Sequence, residues 1–178
     1  MSNNILEKKK KSELIDEGWI VRLWEWADYN NISDYKYVKN DYIDDEEEGY
    51  FVGLPRNKDD LLNLTELDLS RNQFSEIPKE IGNLTNLNRL ILSNNKLTEL
   101  PKEIGNLINL TELDISNNKL IELPKEIGNL TNLVNLDFDY DQLVGFPEEI
   151  RNLPNLNAAS SLRILLVENL DQYWESEF

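Results

Sequence analysis

The chain has 178 residues, 40% of them hydrophobic and 29% charged, which suits one globular or solenoid domain and is too short for two comfortable ones. Its 18 basic and 34 acidic residues leave a formal charge of −16, so a phosphate backbone is repelled and nucleic acid is not an expected partner. Cysteine and histidine are both missing, which removes disulfides, thiolate nucleophiles, the usual zinc ligands and the common general base near neutral pH.

From Met1 to Leu14 the chain runs through Lys8, Lys9, Lys10 and Lys11 into Ser12 and Glu13, with no apolar stretch of signal-peptide length. No window reaches the roughly eighteen apolar residues that a membrane helix needs. The expectation is a cytoplasmic protein in a reducing compartment, with no membrane partner. Ser12 offers an N-cap, and Ile15, Trp19, Leu23, Trp26 and Ala27 follow helical spacing, with Ile20 and Trp24 widening the apolar face. An amphipathic helix is predicted from Glu13 to about Asn30. From Asn31 to Tyr50 the composition turns to Asp, Glu, Tyr and Asn, and Asp44 to Glu48 is an unbroken acidic run. That segment reads as a solvated linker. It lacks the ordered oxygen spacing and internal glycine of a calcium loop, so no metal is expected there.

Beyond this point the chain repeats itself. Leu64, Leu87, Leu110, Leu133 and Leu156 are each 23 residues apart, and the units they open overlay without a gap. Leu67, Leu90, Leu113 and Leu136 recur in step, as do Leu69, Leu92, Ile115 and Phe138, and then Phe74, Leu97, Leu120 and Leu143. Asn72, Asn95 and Asn118 recur too, with Asp141 in the fourth place. Pro78, Pro101, Pro124 and Pro147 are each followed three residues later by Ile81, Ile104, Ile127 and Ile150. A partial unit precedes these four, since Phe51, Leu54, Pro55 and Leu61 fall in the phase of Phe74, Ile77, Pro78 and Leu84.

This pattern, LxxLxLxxNxLxxLPxxIxxLxx, resembles the leucine-rich repeat family in its 23-residue form, and the LPKEIGNL phrasing is similar to short bacterial members. The resemblance implies an α/β fold: a right-handed solenoid, a short horseshoe, with a parallel concave β-sheet and an asparagine ladder along it. The residues support that picture physically. Alternation puts Leu67 and Leu69 inward while Glu66, Asp68 and Ser70 point out. One unit cannot bury its leucines, but stacked neighbours close a continuous core. Asparagine carries a donor and an acceptor on one short side chain, suited to the backbone of the turn after each strand. Ionised Asp141 accepts without donating, so the ladder is expected to weaken in the fourth unit. PKEIGNL puts Pro at a first helical position and Gly after one turn, and reads as a short helical or 3₁₀ turn on the convex side.

Solenoid ends need covering. The resulting division is residues 1–50 as N-terminal capping helix and acidic linker, 51–63 as partial repeat, 64–155 as four repeats and 156–178 as C-terminal cap. In the last segment Ala159 and Ser161 spoil the phase, and Leu162 to Val167 is predicted as a cap strand, with Tyr173 and Trp174 folded over the edge.

The family's concave surface commonly binds another protein, which the resemblance implies here. Its outward positions are Glu66, Asp68 and Arg71 in the first unit, Arg89, Ile91 and Asn94 in the second, Glu112 and Asp114 in the third, and Asn135, Asp137, Asp139 and Tyr140 in the fourth, with serines between. Carboxylates dominate, so a protein partner with a basic or mixed-charge surface is expected. Arg89 and Ile91, and Asp139 and Tyr140, depart from the chain's own template, and residues of such types are enriched at interface cores. The column Asp68, Asp114, Asp137 lacks a desolvated cleft to raise one carboxyl pKa, and Ser70, Ser93 and Ser116 have no base beside them. The expectation is therefore a non-enzymatic binding module without a cofactor, and a monomer. The alternative is small-ligand or carbohydrate binding at the Trp-rich N-terminal region.

Overall fold

A computed structural model describes residues 17–39, 49–139, 143–157 and 160. In each repeat the alternation yields one three-residue strand: β3 Glu66–Asp68, β4 Arg89–Ile91, β5 Glu112–Asp114 and β6 Asn135–Asp137. They form one parallel sheet in the order β3-β4-β5-β6. Register follows the repeat, since Glu66 pairs with Arg89, Arg89 with Glu112 and Glu112 with Asn135. The middle residues Leu67, Leu90, Leu113 and Leu136 are buried and stack along the solenoid with Leu69, Leu92, Ile115 and Phe138. Burying a leucine stabilises by roughly 1.5–3 kcal/mol, and only the neighbouring coils supply that burial.

On the opposite side run four 3₁₀ helices, Lys79–Asn83, Lys102–Asn106, Lys125–Asn129 and Glu148–Asn152. The prolines, expected at the first helical position, instead sit one residue outside as N-caps in extended conformation, where each proline carbonyl accepts the first 3₁₀ hydrogen bond, as from Ile81 N–H to Pro78 at 3.1 Å. The following glycines allow the coils to touch. A Cβ on Gly82, Gly105 or Gly128 would lie 2.3, 2.4 or 2.5 Å from the carbonyl oxygen of Glu103, Glu126 or Glu149 in the next coil. The fourth unit carries Arg151 at this place.

Polar groups are satisfied by two ladders. Asn95 Oδ1 accepts from the N–H groups of Asn72 and Phe74, both at 3.1 Å, and its Nδ2 donates to the carbonyls of Leu69 and Leu92, both at 2.9 Å. Asn118 repeats this one coil on, bonding Leu97 N–H and the carbonyls of Leu92 and Ile115. The second ladder was not anticipated: Asn86, Asn109, Asn132 and Asn155 donate to the carbonyls of Leu62, Thr85, Ile108 and Thr131 at 2.7–2.9 Å. Asp141 lies outside the described residues.

At the N-terminal end the amphipathic helix is present as α1, Gly18–Tyr29, with Trp19, Ile20, Leu23 and Ala27 buried. The expected first turns, with Ser12, lie outside the described residues. Arg22 reaches the buried Glu80 of the first 3₁₀ helix at 2.6 Å, and Trp26 packs on Phe74 with ring centroids 5.1 Å apart. Arg56 fastens this cap by donating to the carbonyls of Trp24 and Ile32 and pairing with Asp28 and Asp34. The linker reading needs correction. Strands β1, Lys36–Lys39, and β2, Gly49–Val52, pair antiparallel on either side of the acidic run, since apolar Tyr37, Val38, Tyr50, Phe51 and Val52 favour extended structure. A short helix, α2, Lys58–Leu62, then carries the fully buried Leu61 of the partial unit.

At the other end Ser160 does the work of a strand. Its hydroxyl accepts from Leu136 N–H at 3.0 Å and donates to Leu136 C=O at 3.2 Å. Ser160→Ala leaves both buried backbone groups unpaired and is expected to lower stability by about 2 kcal/mol, read from urea unfolding midpoints. The predicted strand from Leu162 to Val167, with Tyr173 and Trp174, lies outside the described residues. Among the described residues no helix is long and apolar enough to cross a membrane.

Candidate functional site

The concave surface is built from residues that the pleat turns away from the core. Glu66, Arg71, Arg89 and Asn94 are exposed, and Asp68, Ile91, Glu112, Asp114, Asn135, Asp137 and Asp139 are half-buried. Register places Asp68, Ile91, Asp114 and Asp137 in a single column, so Ile91 separates the first carboxylate from two that are direct neighbours. Tyr140 lies outside the described residues.

These side chains are not equally available. Arg89 Nε pairs with Glu112 Oε1 at 3.0 Å across adjacent strands, which cancels one charge of each sign near the middle of the face. Two aspartates bend back onto their own turns. Asp68 Oδ1 accepts from Ser70 N–H at 2.8 Å, and Asp114 Oδ1 accepts from the N–H and hydroxyl of Ser116 at 3.0 and 2.6 Å. A carboxylate held this way keeps its second oxygen for an incoming donor, already oriented. Asp139 behaves differently. Its Oδ2 accepts from Asn117 N–H at 2.5 Å and Asn118 N–H at 3.4 Å, so its departure from the serine template serves the scaffold by closing the turn of the preceding coil. Asn135 accepts from the Asn157 side chain.

The turn after the strands has a signature that the residue pattern did not reveal. Arg71, Asn94 and Asn117 have φ of 59°, 58° and 54°, the left-handed region that Asn tolerates and Arg enters only at some cost. This conformation presents all three side chains along one rim of the sheet. At the first strand, Tyr35 is held above its ordinary pKa by burial and then by the charges of Glu66 and Asp60. The tryptophans of α1 are drawn into packing and hydrogen bonds: Trp19 is 8% exposed, Trp24 Nε1 donates to Pro55 C=O at 2.9 Å, and Trp26 packs on Phe74. Among the described residues no cluster of three or more carboxylates is arranged to hold a metal ion.

A family model described as a leucine-rich repeat region matches residues 79–173, more than half of the chain, and a second, described as a leucine rich repeat, matches residues 63–84. Among solved structures, the chain is similar to a leucine-rich repeat protein of Leptospira interrogans, at 46% identity and a TM-score of 0.50, covering 53% of this chain and 24% of that one. The chain thus spans about a quarter of that protein's length. It is also similar to a chain of the BIR3–SERK2 complex from Arabidopsis thaliana, at 31% identity and a TM-score of 0.46, covering 53% of each. A TDR receptor matches at 33% identity and a TM-score of 0.45, covering 53% of this chain and 17% of that one. No curated protein matches.

Proposed function

The chain belongs to the leucine-rich repeat family, and from that premise we propose that it is a non-enzymatic module that holds a basic or mixed-charge protein against its concave sheet. The observation that carries this reading is the column of Asp68, Ile91, Asp114 and Asp137. It sets one apolar contact among three carboxylates on a rigid ladder, and two of those carboxylates are pre-oriented by the serine turns. An apolar anchor ringed by fixed charge suits a partner that offers a lysine or arginine beside an aliphatic or aromatic side chain. Exposed Arg71 and Asn94 on the rim add adaptable donors at its border.

The test is capture of partners from the native host with the full chain as bait, compared with an Arg89→Ala/Ile91→Ala double variant. Neither side chain belongs to the core, so the variant should stay folded, with a loss of about 1–2 kcal/mol from the half-buried Ile91 and the Arg89–Glu112 pair, read from its unfolding curve and allowed for by capturing well below the transition. The specific partner is expected to bind about tenfold or more weakly to the variant, equivalent to about 1.4 kcal/mol. Raising salt from about 0.05 to about 0.5 M should weaken the wild-type complex as well, because rim charges are screened. An unchanged set of captured proteins would move the site off the concave sheet.

A further inference from the structure

One flank of the solenoid carries no charge. From the last residue of each 3₁₀ helix onward, the segments 83–88, 106–111, 129–134 and 152–157 contain no Asp, Glu, Lys or Arg, in a chain of which 29% is charged. Their exposed side chains are asparagines, threonines, Pro154, Ile108 and Val134. Ile108 and Val134 are 54% and 38% exposed, and both depart from the chain's own template. Thr85 and Thr131 hold the place of Ile108 in the units on either side, and Thr65 and Thr111 hold that of Val134 in the first and third units.

The two apolar residues and two of these threonines stand at the corners of a rectangle on neighbouring coils. Val134 N–H donates to Thr111 C=O at 2.9 Å, and the Asn132 side chain donates to Ile108 C=O at 2.8 Å, which sets Val134 beside Thr111 and Thr131 beside Ile108. Ile108 and Thr111 share one coil, so the apolar side chains occupy one diagonal and the threonines the other. Asn109 and Asn132 run through the middle. Each uses one N–H on the coil behind, at Thr85 and Ile108. An amide carries a second N–H and an oxygen as well, so a surface of amides is its own complement.

We infer that this flank joins a second copy of the chain about a two-fold axis through the centre of that rectangle. Such an axis lays Ile108 of each copy over Val134 of the other and Thr111 over Thr131. Apolar then meets apolar and hydroxyl meets hydroxyl, the self-match that an isologous contact requires. Charge selects the same face. The chain bears −16, and a copy docked on the concave sheet would set carboxylate against carboxylate, whereas on this flank no charged side chain is taken from water. Area sets the strength. With coils roughly 4.8 Å apart and six residues of each in the flank, it offers about 400 Å² a side, half of what a standard interface buries per partner. The dimer is therefore transient and forms at high concentration, and the columns of Asp68, Asp114 and Asp137 lie outside the contact.

Sedimentation equilibrium of the full chain tests this. Between about 0.02 and about 1 mM protein, dimer is expected at the upper end by mass action. Association should be at least about threefold tighter at about 0.5 M salt than at about 0.05 M, because screening relieves the repulsion between two acidic chains. That is the opposite sign to the salt response of the concave-face complex, so the two readings fail separately. Ile108→Thr/Val134→Thr installs residues that other coils carry at these places, so the chain should stay folded, checked by its unfolding curve, and dimerise about tenfold or more weakly. The chain has no cysteine, so mild oxidation of Ile108→Cys mixed with Val134→Cys reads the register: the mixed disulfide should exceed either homodisulfide about tenfold, since only that pair is brought within bridging distance. A chain still monomeric at the highest concentration in high salt overturns the inference. So does a dimer that salt dissolves, a dimer indifferent to the double threonine variant, or statistical disulfide pairing.

Discussion

Gly105→Ala is expected to lower the unfolding free energy by about 3 kcal/mol, near the upper end of what overpacking costs. The added Cβ would fall 2.4 Å from Glu126 O and 2.7 Å from Glu126 Cβ. Neither atom is the free end of a flexible side chain, because both belong to the backbone or its first carbon in the next 3₁₀ helix. Relief requires the two coils to part on the convex side, and the sheet on the other side resists, since its strands are fixed in register. Glycine at this place is needed for close approach, as its φ is not positive. Gly145→Ala supplies the contrast. Among the described residues nothing lies within 4 Å of a Cβ there, so that variant should stay within about 0.5 kcal/mol of wild type or gain slightly through the unfolded state. Urea unfolding of the two variants in parallel measures the difference, and equal midpoints would refute the close-approach account.

Asn95→Ala is expected to cost about 4 kcal/mol, the loss that follows when several buried polar groups lose partners at once. One side chain serves Asn72 N–H, Phe74 N–H, Leu69 C=O and Leu92 C=O, and it is 8% exposed, so water cannot replace all four bonds. The same change at Asn72 removes, among the described residues, the bond to Ser70 C=O at an exposed place, and should cost less than about 1 kcal/mol. Unfolding of the two alanine variants ranks them directly. The gap between them measures what a coil on each side adds to a ladder residue, because the two side chains are chemically identical. A similar cost at both positions would show that the ladder contributes through local turn geometry alone.

The ladder also marks where the residue pattern ran ahead of the structure and where it fell behind. The recurrence of Asn72, Asn95 and Asn118 was read as a ladder through the family resemblance, and the chemistry agreed, because the turn after a strand has orphan backbone groups and asparagine can meet both kinds. The second ladder, Asn86 to Asn155, recurs just as regularly, but those asparagines sit between strand and 3₁₀ helix, where polar residues are unremarkable. Their partners are carbonyls 24 residues earlier. Asp139 looked like a surface departure, and the structure shows it holding Asn117 and Asn118 N–H groups. The pairing of β1 with β2 was obscured because the carboxylates between them dominate the composition and concealed the short apolar strands on either side. Of the concave positions, alternation gave the orientation of each side chain. It did not reveal that Arg89 and Glu112 neutralise each other or that Asp68 and Asp114 are drawn onto their own turns.

The amino-acid sequence by itself determined the coil. Which residues face inward, how many strands stack and where the chain bends all follow from alternation and a fixed period, which are properties of a short stretch of chain. The tertiary structure alone decided which polar groups pair with one another and how the cap is fastened to the first coil. Those outcomes depend on partners brought together from 21 to 58 residues away, whose proximity exists only once the coils have stacked.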